Sequence, residues 1–409
     1  MSVNPFVWSR PLDDPAKIVG MDGFANEVAM ILKGQTNVAI FGPRDTGKTT
    51  FTTLLTKELE SDHGADAPPH RVIRIDLQRV LSVPGFIGCI HDGLTGHPDR
   101  EVRKEARKQL ETLEKEIGFD IKVIKGAVKR SGITPEQDEE ALHAQLKSLA
   151  KLGDHVIVIF DEFQRLNRCP GNPLSLIRSA LMSGDANHVS LLFTGSIREA
   201  LKMSLEKSDE PIFGEAHQMQ LPAIARSEFY EYLEYHFEAS GRPADDDALD
   251  HLLHVTEAHP KRTQQLAWAA WNLGRDGEPV TLEMVQQAHA EMLEGSDTSE
   301  FEATFGLLAE GSEGDTNELK ALFLLADRGG QQLTSRDNLT LYGFTHPTRI
   351  TDAVKRLERR GLVETRDRTP AIVDPLFAEW LRAHSAVGFR EPRQLPPASP
   401  AELNEGSSE

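Results

Sequence analysis

Gly42-Pro43-Arg44-Asp45-Thr46-Gly47-Lys48-Thr49 follows directly on the apolar run Val38-Ala39-Ile40-Phe41. It is a Gly-x-x-x-x-Gly-Lys-Thr pattern, set between an expected strand and an expected helix from about Lys48 to Leu59. The strand delivers the chain to the edge of a sheet. The glycines let the backbone curl until successive N–H groups point inward at a phosphate. The helix adds the positive end of its dipole. Lys48 can reach β- and γ-phosphates, and the Thr49 hydroxyl can ligate Mg²⁺. Gly42, Pro43, Arg44, Asp45, Thr46, Gly47, Lys48, Thr49 and Thr50 are therefore the candidate nucleotide-binding residues. The competing reading is a glycine-rich turn with no ligand, which the strand and helix on either side disfavour.

A phosphate loop needs a metal-binding and water-activating partner. Val156-Ile157-Val158-Ile159-Phe160 is an uninterrupted apolar run that ends in Asp161-Glu162. Such a run suits a parallel strand buried on both faces. Carboxylates at its C-terminal end emerge where ligands bind in open α/β sheets. Asp161 is the candidate Mg²⁺ holder together with Thr49, and Glu162 the candidate general base. The alternative is that the pair merely caps the next helix. The next apolar run, Val189 to Phe193, ends in Thr194-Gly195-Ser196. Two readings stand there side by side. Thr194 or Ser196 senses the γ-phosphate or orients the water, or the segment is a polar turn with Ser196 capping a helix from Ile197 to Ser204. Arg198 is either an active-site cation or a solvated side chain.

Composition sets outer limits. The chain has 409 residues, enough for two or three domains. No apolar run approaches a bilayer span, and the N-terminus lacks the basic start and apolar core of a signal peptide. The two cysteines, Cys89 and Cys169, are far apart and have no metal-ligand spacing. A cytoplasmic protein without membrane contact is expected. The net charge of −19 argues against nonspecific coating of nucleic acid. It leaves room for a local basic patch, since the chain turns basic between Arg336 and Pro370.

Residues 1–221 are expected to form the phosphate-loop core. Strands are expected at Asn37–Phe41, Arg71–Asp76, Val156–Phe160, Ser190–Thr194 and His217–Leu221, as a parallel α/β sheet. A charged insert spans about 96–152, with helices at Asp99–Glu116 and Pro135–Lys151, a short strand at Phe119–Ile124, and Thr134 as an N-cap. Residues 222–295 read as four helices, a lid. Residues 296–315 read as a flexible linker around a short helix from Glu300 to Leu308. Residues 316–386 carry three helix patterns, Glu318–Arg328, Ser335–Leu341 and Pro347–Arg360, and then a strand pair, the order of a winged helix-turn-helix. Residues 387–409 are Pro-, Ser- and Glu-rich and expected to be disordered.

The whole set resembles the archaeal ATPase family, P-loop ATPases of the AAA+/STAND division, over about Asn4 to His384. The resemblance rests on Ile18-Val19-Gly20, Gly42-Pro43-Arg44, Asp161-Glu162-Phe163-Gln164, Phe193-Thr194-Gly195-Ser196, the lid segment His259-Pro260-Lys261-Arg262-Thr263-Gln264, and Asp374-Pro375-Leu376-Phe377 with Trp380-Leu381. It implies a parallel five-stranded sheet in the order 5-1-4-3-2, a helical lid and a C-terminal winged helix. It implies that Val19 and Gly20 lie beside the adenine, and that Pro260 and Lys261 bring a second sensor to the nucleotide. Two positions depart from the family. Met21 stands where an arginine is usual. Ile212-Phe213-Gly214-Glu215 stands where the family often carries Leu-Tyr-Gly-Arg, a candidate arginine finger. Hydrolysis is then slow, or triggered by an arginine from elsewhere, with Arg198 and Arg226 as candidates.

The function implied is an ATP-binding and hydrolysing conformational switch with ATP and Mg²⁺ as cofactors. Its output has two readings. In one, the third helix of the winged module enters double-stranded DNA, with Arg349, Lys355, Arg356, Arg360, Arg366 and Arg368 as candidate contacts. In the other, those residues form a solvated face or charges at a helix end, and the switch acts through a protein partner or self-association. A small-molecule kinase is a third reading, for which no small-substrate site is evident.

Overall fold

Five strands form one parallel sheet: β1 (Asn37–Phe41), β2 (Arg71–Asp76), β3 (Val156–Asp161), β4 (Val189–Gly195) and β5 (Ala216–Gln220). The computed structural model describes residues 3–12, 14, 17–61, 70–117, 135–170, 173–181, 188–196, 216–295, 298–309, 313–366 and 368–385. The strand order is β2-β3-β4-β1-β5. Counted from the opposite edge this is the expected 5-1-4-3-2, and every pairing is parallel. All residues of β3 and β4 are buried, as their unbroken apolar runs require. Edge strand β5 leaves its polar positions exposed.

Alternation along each strand sends neighbouring side chains to opposite faces. Val38, Ile40, Ile157, Ile159 and Leu192 join a core with α1 (Asp22–Lys33) and α2 (Lys48–Ser61). Ala39, Ile73, Val158, Phe160 and Phe193 join the other, beneath α3 (Val83–Thr95), α5 (Pro135–Ala150) and α6 (Pro173–Leu181). On that second face Phe160 packs against Phe86, Phe163 and Phe193. Burying each such ring contributes roughly 2–3 kcal/mol. Helix α4 (Arg100–Ile117) completes the charged insert. Helix α5 is no mere solvated excursion, because Leu142, Leu146 and Leu149 are fully buried. The strand expected at Phe119–Ile124 and the Thr134 cap lie outside the described residues, as do Ile197–Ser204 and the tail 387–409.

Four lid helices follow: α7 (Arg226–Ala239), α8 (Asp246–Val255), α9 (Pro260–Leu273) and α10 (Leu282–Glu294). Helix α11 (Ser299–Ala309) corrects one expectation. The segment read as a flexible linker buries Phe301 and Leu308. Phe301 packs on Phe377 and Trp380, so the connection is a wedge in the core.

The C-terminal module runs α12 (Glu313–Arg328), α13 (Arg336–Leu341), α14 (Pro347–Arg360), the antiparallel hairpin β6 (Val363–Arg366) and β7 (Thr369–Ile372), and α15 (Pro375–Ser385). Three helices followed by a hairpin is the order expected from the sequence. Helix α14 buries Ile350, Val354 and Leu357 and stops at Gly361, whose φ of 75° suits a residue without a Cβ. Among the described residues no helix is long and apolar enough to cross a membrane.

Candidate functional site

β1 ends at Phe41, where Gly42 N–H donates to the Gly195 carbonyl of β4 (3.3 Å). The loop then turns back on itself. Asp45 and Gly47 take φ of 61° and 92°, so the chain curls through two left-handed residues before α2. The Thr46 hydroxyl donates to the Pro43 carbonyl at 2.8 Å and closes the curl. Lys48 is 6% exposed. Its ammonium donates back to the carbonyls of Gly42 (2.9 Å) and Pro43 (2.5 Å). Burial pushes its pKa down, against the opposing pull of Glu162 and Asp161. A Cβ at Gly47 would come within 3.0 Å of the Met21 side chain. Met21 is thus an apolar floor under the loop, which explains an uncharged residue at that position.

The end of β3 lies across from the loop. The Thr49 hydroxyl donates to Asp161 Oδ2 (3.3 Å), and the Thr194 hydroxyl donates to Asp161 Oδ1. Glu162 adopts a left-handed conformation (φ 58°, ψ 41°) and begins a 3₁₀ turn, Phe163–Arg168. For a residue other than glycine this conformation is uncommon, and it turns the carboxylate off the strand axis. Gln164 donates to Glu162 Oε2 (2.6 Å) and to the Ser196 hydroxyl (2.9 Å), and Ser196 donates to the same carboxylate oxygen (3.2 Å). Hard oxygen donors, an inward-facing loop and a buried ammonium converge on a cavity of about 780 Å³.

No protein-family model matches the chain, and no curated protein matches it in sequence. Solved structures do match. A Walker-type ATPase of Pyrococcus abyssi superposes with a TM-score of 0.61 at 17% identity, covering 91% of this chain and 99% of that one. The fold is that of the AAA+ P-loop ATPases. The ORC2 protein of Aeropyrum pernix, in its ADPNP–ADP complexes, superposes with a TM-score of 0.53 at 17% identity, covering 91% of this chain and 98% of that chain. The expected fold class is met in sheet order and extent.

Within this AAA+ fold, Val19, Arg44, Asp45, Gly47, Lys48, Thr49, Thr50, Asp161, Glu162, Pro260 and Lys261 line this same cavity. Gly20, Gly42, Pro43 and Thr46 are not among its lining residues. At Gly20 (φ 69°) a Cβ would meet Glu228 and Ile224 of the lid side at 2.9–3.0 Å, so the chain passes there as glycine. Thr194 and Ser196 do not line the cavity either. Their hydroxyls bond the two carboxylates, Thr194 to Asp161 and Ser196 to Glu162. The alternative reading, a cap for the helix Ile197–Ser204, falls outside the described residues.

The lid contributes a charge network to the same cavity. His259 caps α9 by accepting from the Arg262 N–H, with Pro260 at the first helical position. Burial pushes the His259 imidazole down to about 4, so it stays neutral and keeps that acceptor. Lys261 meets Asp45 of the loop at 3.0 Å and Glu300 of α11 at 3.3 Å. Burial alone would raise the Asp45 pKa, and the Lys261 charge and hydrogen bond outweigh it and hold it low. Arg262, 3% exposed at its side chain, meets Glu300 at 3.4 Å and Asp374 at 2.5 Å. A continuous chain of charges therefore runs from the phosphate loop through the lid to the start of α15.

Several residues of this cavity were not singled out in sequence. The N-terminal segment crosses its mouth with Trp8, Arg10 and Leu12, and Leu12 N–H donates to the Thr50 hydroxyl (3.3 Å). Phe6 of the same segment is buried against Phe237 of the lid. Gln264, Glu300 and Arg165 complete the wall. Two of them carried a local signal: Arg165 stands three residues beyond Glu162, and Gln264 closes the lid segment that begins at His259.

Two arginines were offered by the sequence as substitutes for the missing finger. Arg226 pairs with Asp250 at 2.9 Å on the exposed lid surface, and Arg198 lies outside the described residues. The candidate DNA contacts divide. Arg349, Lys355, Arg366 and Arg368 are exposed, with Arg366 paired to its neighbour Glu364. Arg360 is exposed and Arg356 half-buried, and each is also paired, 2.7 Å from Glu318 of α12, whose side chain is 1% exposed. A buried carboxylate needs paired cations, so these two arginines also have a structural role within the module.

Proposed function

We propose that the chain is a Mg²⁺-dependent ATP-binding and hydrolysing conformational switch. The observation that carries this is the convergence of Lys48, Thr49, Asp161 and Glu162 on one cavity between core and lid. Thr49 and Asp161 set a hydroxyl and a carboxylate 3.3 Å apart, a hard-oxygen pair that fits Mg²⁺ with its remaining positions left to water and phosphate. When bound there, Mg²⁺ would neutralise charge on the β- and γ-phosphate oxygens. Lys48 would exchange its loop carbonyls for those phosphates. Glu162 would take the proton of the attacking water, with Gln164 and Ser196 fixing the rotamer of its carboxylate. Thr194 would hold Asp161 from behind. Val19, on the cavity wall, would flank the adenine, with Gly20 behind it.

The switch element in this reading is the Lys261 network. A γ-phosphate offers Lys261 a stronger partner than Asp45 and Glu300. Drawing Lys261 inward would leave Glu300 to Arg262 alone and shift the hold of Arg262 on Asp374. That gives ATP and ADP states different contacts at the C-terminal module, as a nucleotide-driven change of state requires.

For output, the exposed Arg349, Lys355, Arg366 and Arg368 support double-stranded DNA at the start and middle of α14 and at the hairpin. The pairing of Arg356 and Arg360 with Glu318, with a net charge of −19, favours a protein partner as the second reading. Titration of duplex DNA against salt, with ATP and with ADP, separates them. If DNA is the target, binding weakens steeply with salt. Replacing Arg349, Lys355 and Arg368 by alanine together then lowers the salt slope by about one unit per lost phosphate contact. Absence of salt-sensitive binding in both nucleotide states leaves the protein-partner reading.

A further inference from the structure

The likeness-based candidate for an arginine finger is Glu215 in this chain, and Arg226 is tied to Asp250. Arg165 is the arginine that the fold brings to the cavity beside Glu162. Its backbone N–H donates to the Glu162 carbonyl (2.9 Å), so both side chains spring from one 3₁₀ turn. It is half-buried and lines the cavity together with Lys48, Thr49, Asp161 and Glu162. Among the described residues its guanidinium makes no hydrogen bond and no ion pair. Asp161 and Glu162 stand in the same cavity, yet each is occupied by other donors, Asp161 by Thr49 and Thr194, Glu162 by Gln164 and Ser196. A partly desolvated cation without a partner is costly unless an anion comes to it. Of the other arginines on this wall, Arg44 is exposed at the tip of the loop and Arg10 is exposed on the N-terminal segment.

We propose that Arg165 is the arginine that neutralises the γ-phosphoryl group in the transition state, supplied in cis from the turn that carries the general base. This rests on the ATPase reading above. In the step, the water oxygen forms a bond to the γ-phosphorus. The bond from that phosphorus to the β–γ bridging oxygen breaks, and its electron pair leaves on ADP. The water's proton passes to Glu162 and from there to the released phosphate. Charge grows on the bridging and equatorial oxygens during this exchange, and a planar guanidinium can hold two of them at once. With the arginine in the same chain, a single copy is competent for hydrolysis.

The test measures ATP turnover, ADP affinity and trapping of ADP by aluminium fluoride for the full chain and for Arg165→Ala, Arg165→Lys and Arg226→Ala. The parent is expected to hydrolyse ATP with a specific activity independent of protein concentration. Arg165→Ala should lose about a hundredfold or more in kcat and lose fluoride trapping, with ADP affinity unchanged. Arg165→Lys should restore little, because an ammonium cannot make the two-pronged contact. Arg226→Ala should turn over like the parent. Unchanged ADP affinity shows that a variant is folded. The proposal is overturned if Arg165→Ala turns over and traps ADP like the parent. It is also overturned if the parent binds ATP but hydrolyses it only at high protein concentration or not at all. A parent that binds no ATP refutes the ATPase reading itself, a result separable from these because binding is measured apart from turnover.

Discussion

Lys48→Ala is expected to abolish ATP hydrolysis and lower nucleotide affinity by at least about a hundredfold, on the scale of a lost charge-assisted hydrogen bond or two. The ammonium is held inside the loop at 6% exposure, on the carbonyls of Gly42 and Pro43. Burial already depresses its pKa, so the site pays to keep a cation there. Removing the side chain leaves the sheet and both cores untouched, since none of their packing runs through it. Calorimetric titration with ADP and ATP, beside a thermal melt of the free proteins, checks both halves. A variant that binds and hydrolyses like the parent would show that the curled loop is a turn and nothing more.

Glu162→Gln should bind Mg·ATP as the parent does and turn it over about two orders of magnitude more slowly, the scale of a missing general base. Glutamine keeps the size of the side chain and an oxygen for Ser196 to reach, so the left-handed turn should persist. Asp161→Asn should behave differently. It weakens the Thr49 and Thr194 arrangement and lowers affinity in the presence of Mg²⁺. Single-turnover kinetics with separate binding titrations resolve the two patterns. Equal and mild effects from both substitutions would mean that the pair only starts the 3₁₀ turn.

The five strands were legible because their signals are local, whereas their order came only from the family resemblance. Val156–Phe160 has no polar residue, so it had to be buried on both faces, and Gly42–Thr49 had to follow a strand. The carboxylates at the end of β3 and the loop at the end of β1 then meet through the sheet order alone. What the sequence concealed depends on contacts between distant segments. The short helix read at Glu300–Leu308 gives no sign of its buried side, because Phe377 and Trp380, some eighty residues on, are what cover Phe301. Arg356 and Arg360 lie beside the apolar stripe of α14, and nothing in α14 itself announces that Glu318 of another helix is buried against them. Trp8 and Glu300 reach the cavity from separate parts of the chain, with no shared motif. Residues whose neighbours are near in sequence were read from sequence, and those held by tertiary charge pairs were not.

The cavity between the loop, the end of β3 and the lid is expected to take Mg·ATP. A crystal structure with Mg²⁺ and a non-hydrolysable ATP analogue tests it most directly. Phosphates should lie under the N–H groups of the loop, with Lys48 Nζ moved from the Gly42 and Pro43 carbonyls onto phosphate oxygens, Mg²⁺ held by Thr49 and Asp161, and Lys261 released from Asp45. Nucleotide bound elsewhere, or bound in the cavity with Lys48 still on its two carbonyls, would contradict it.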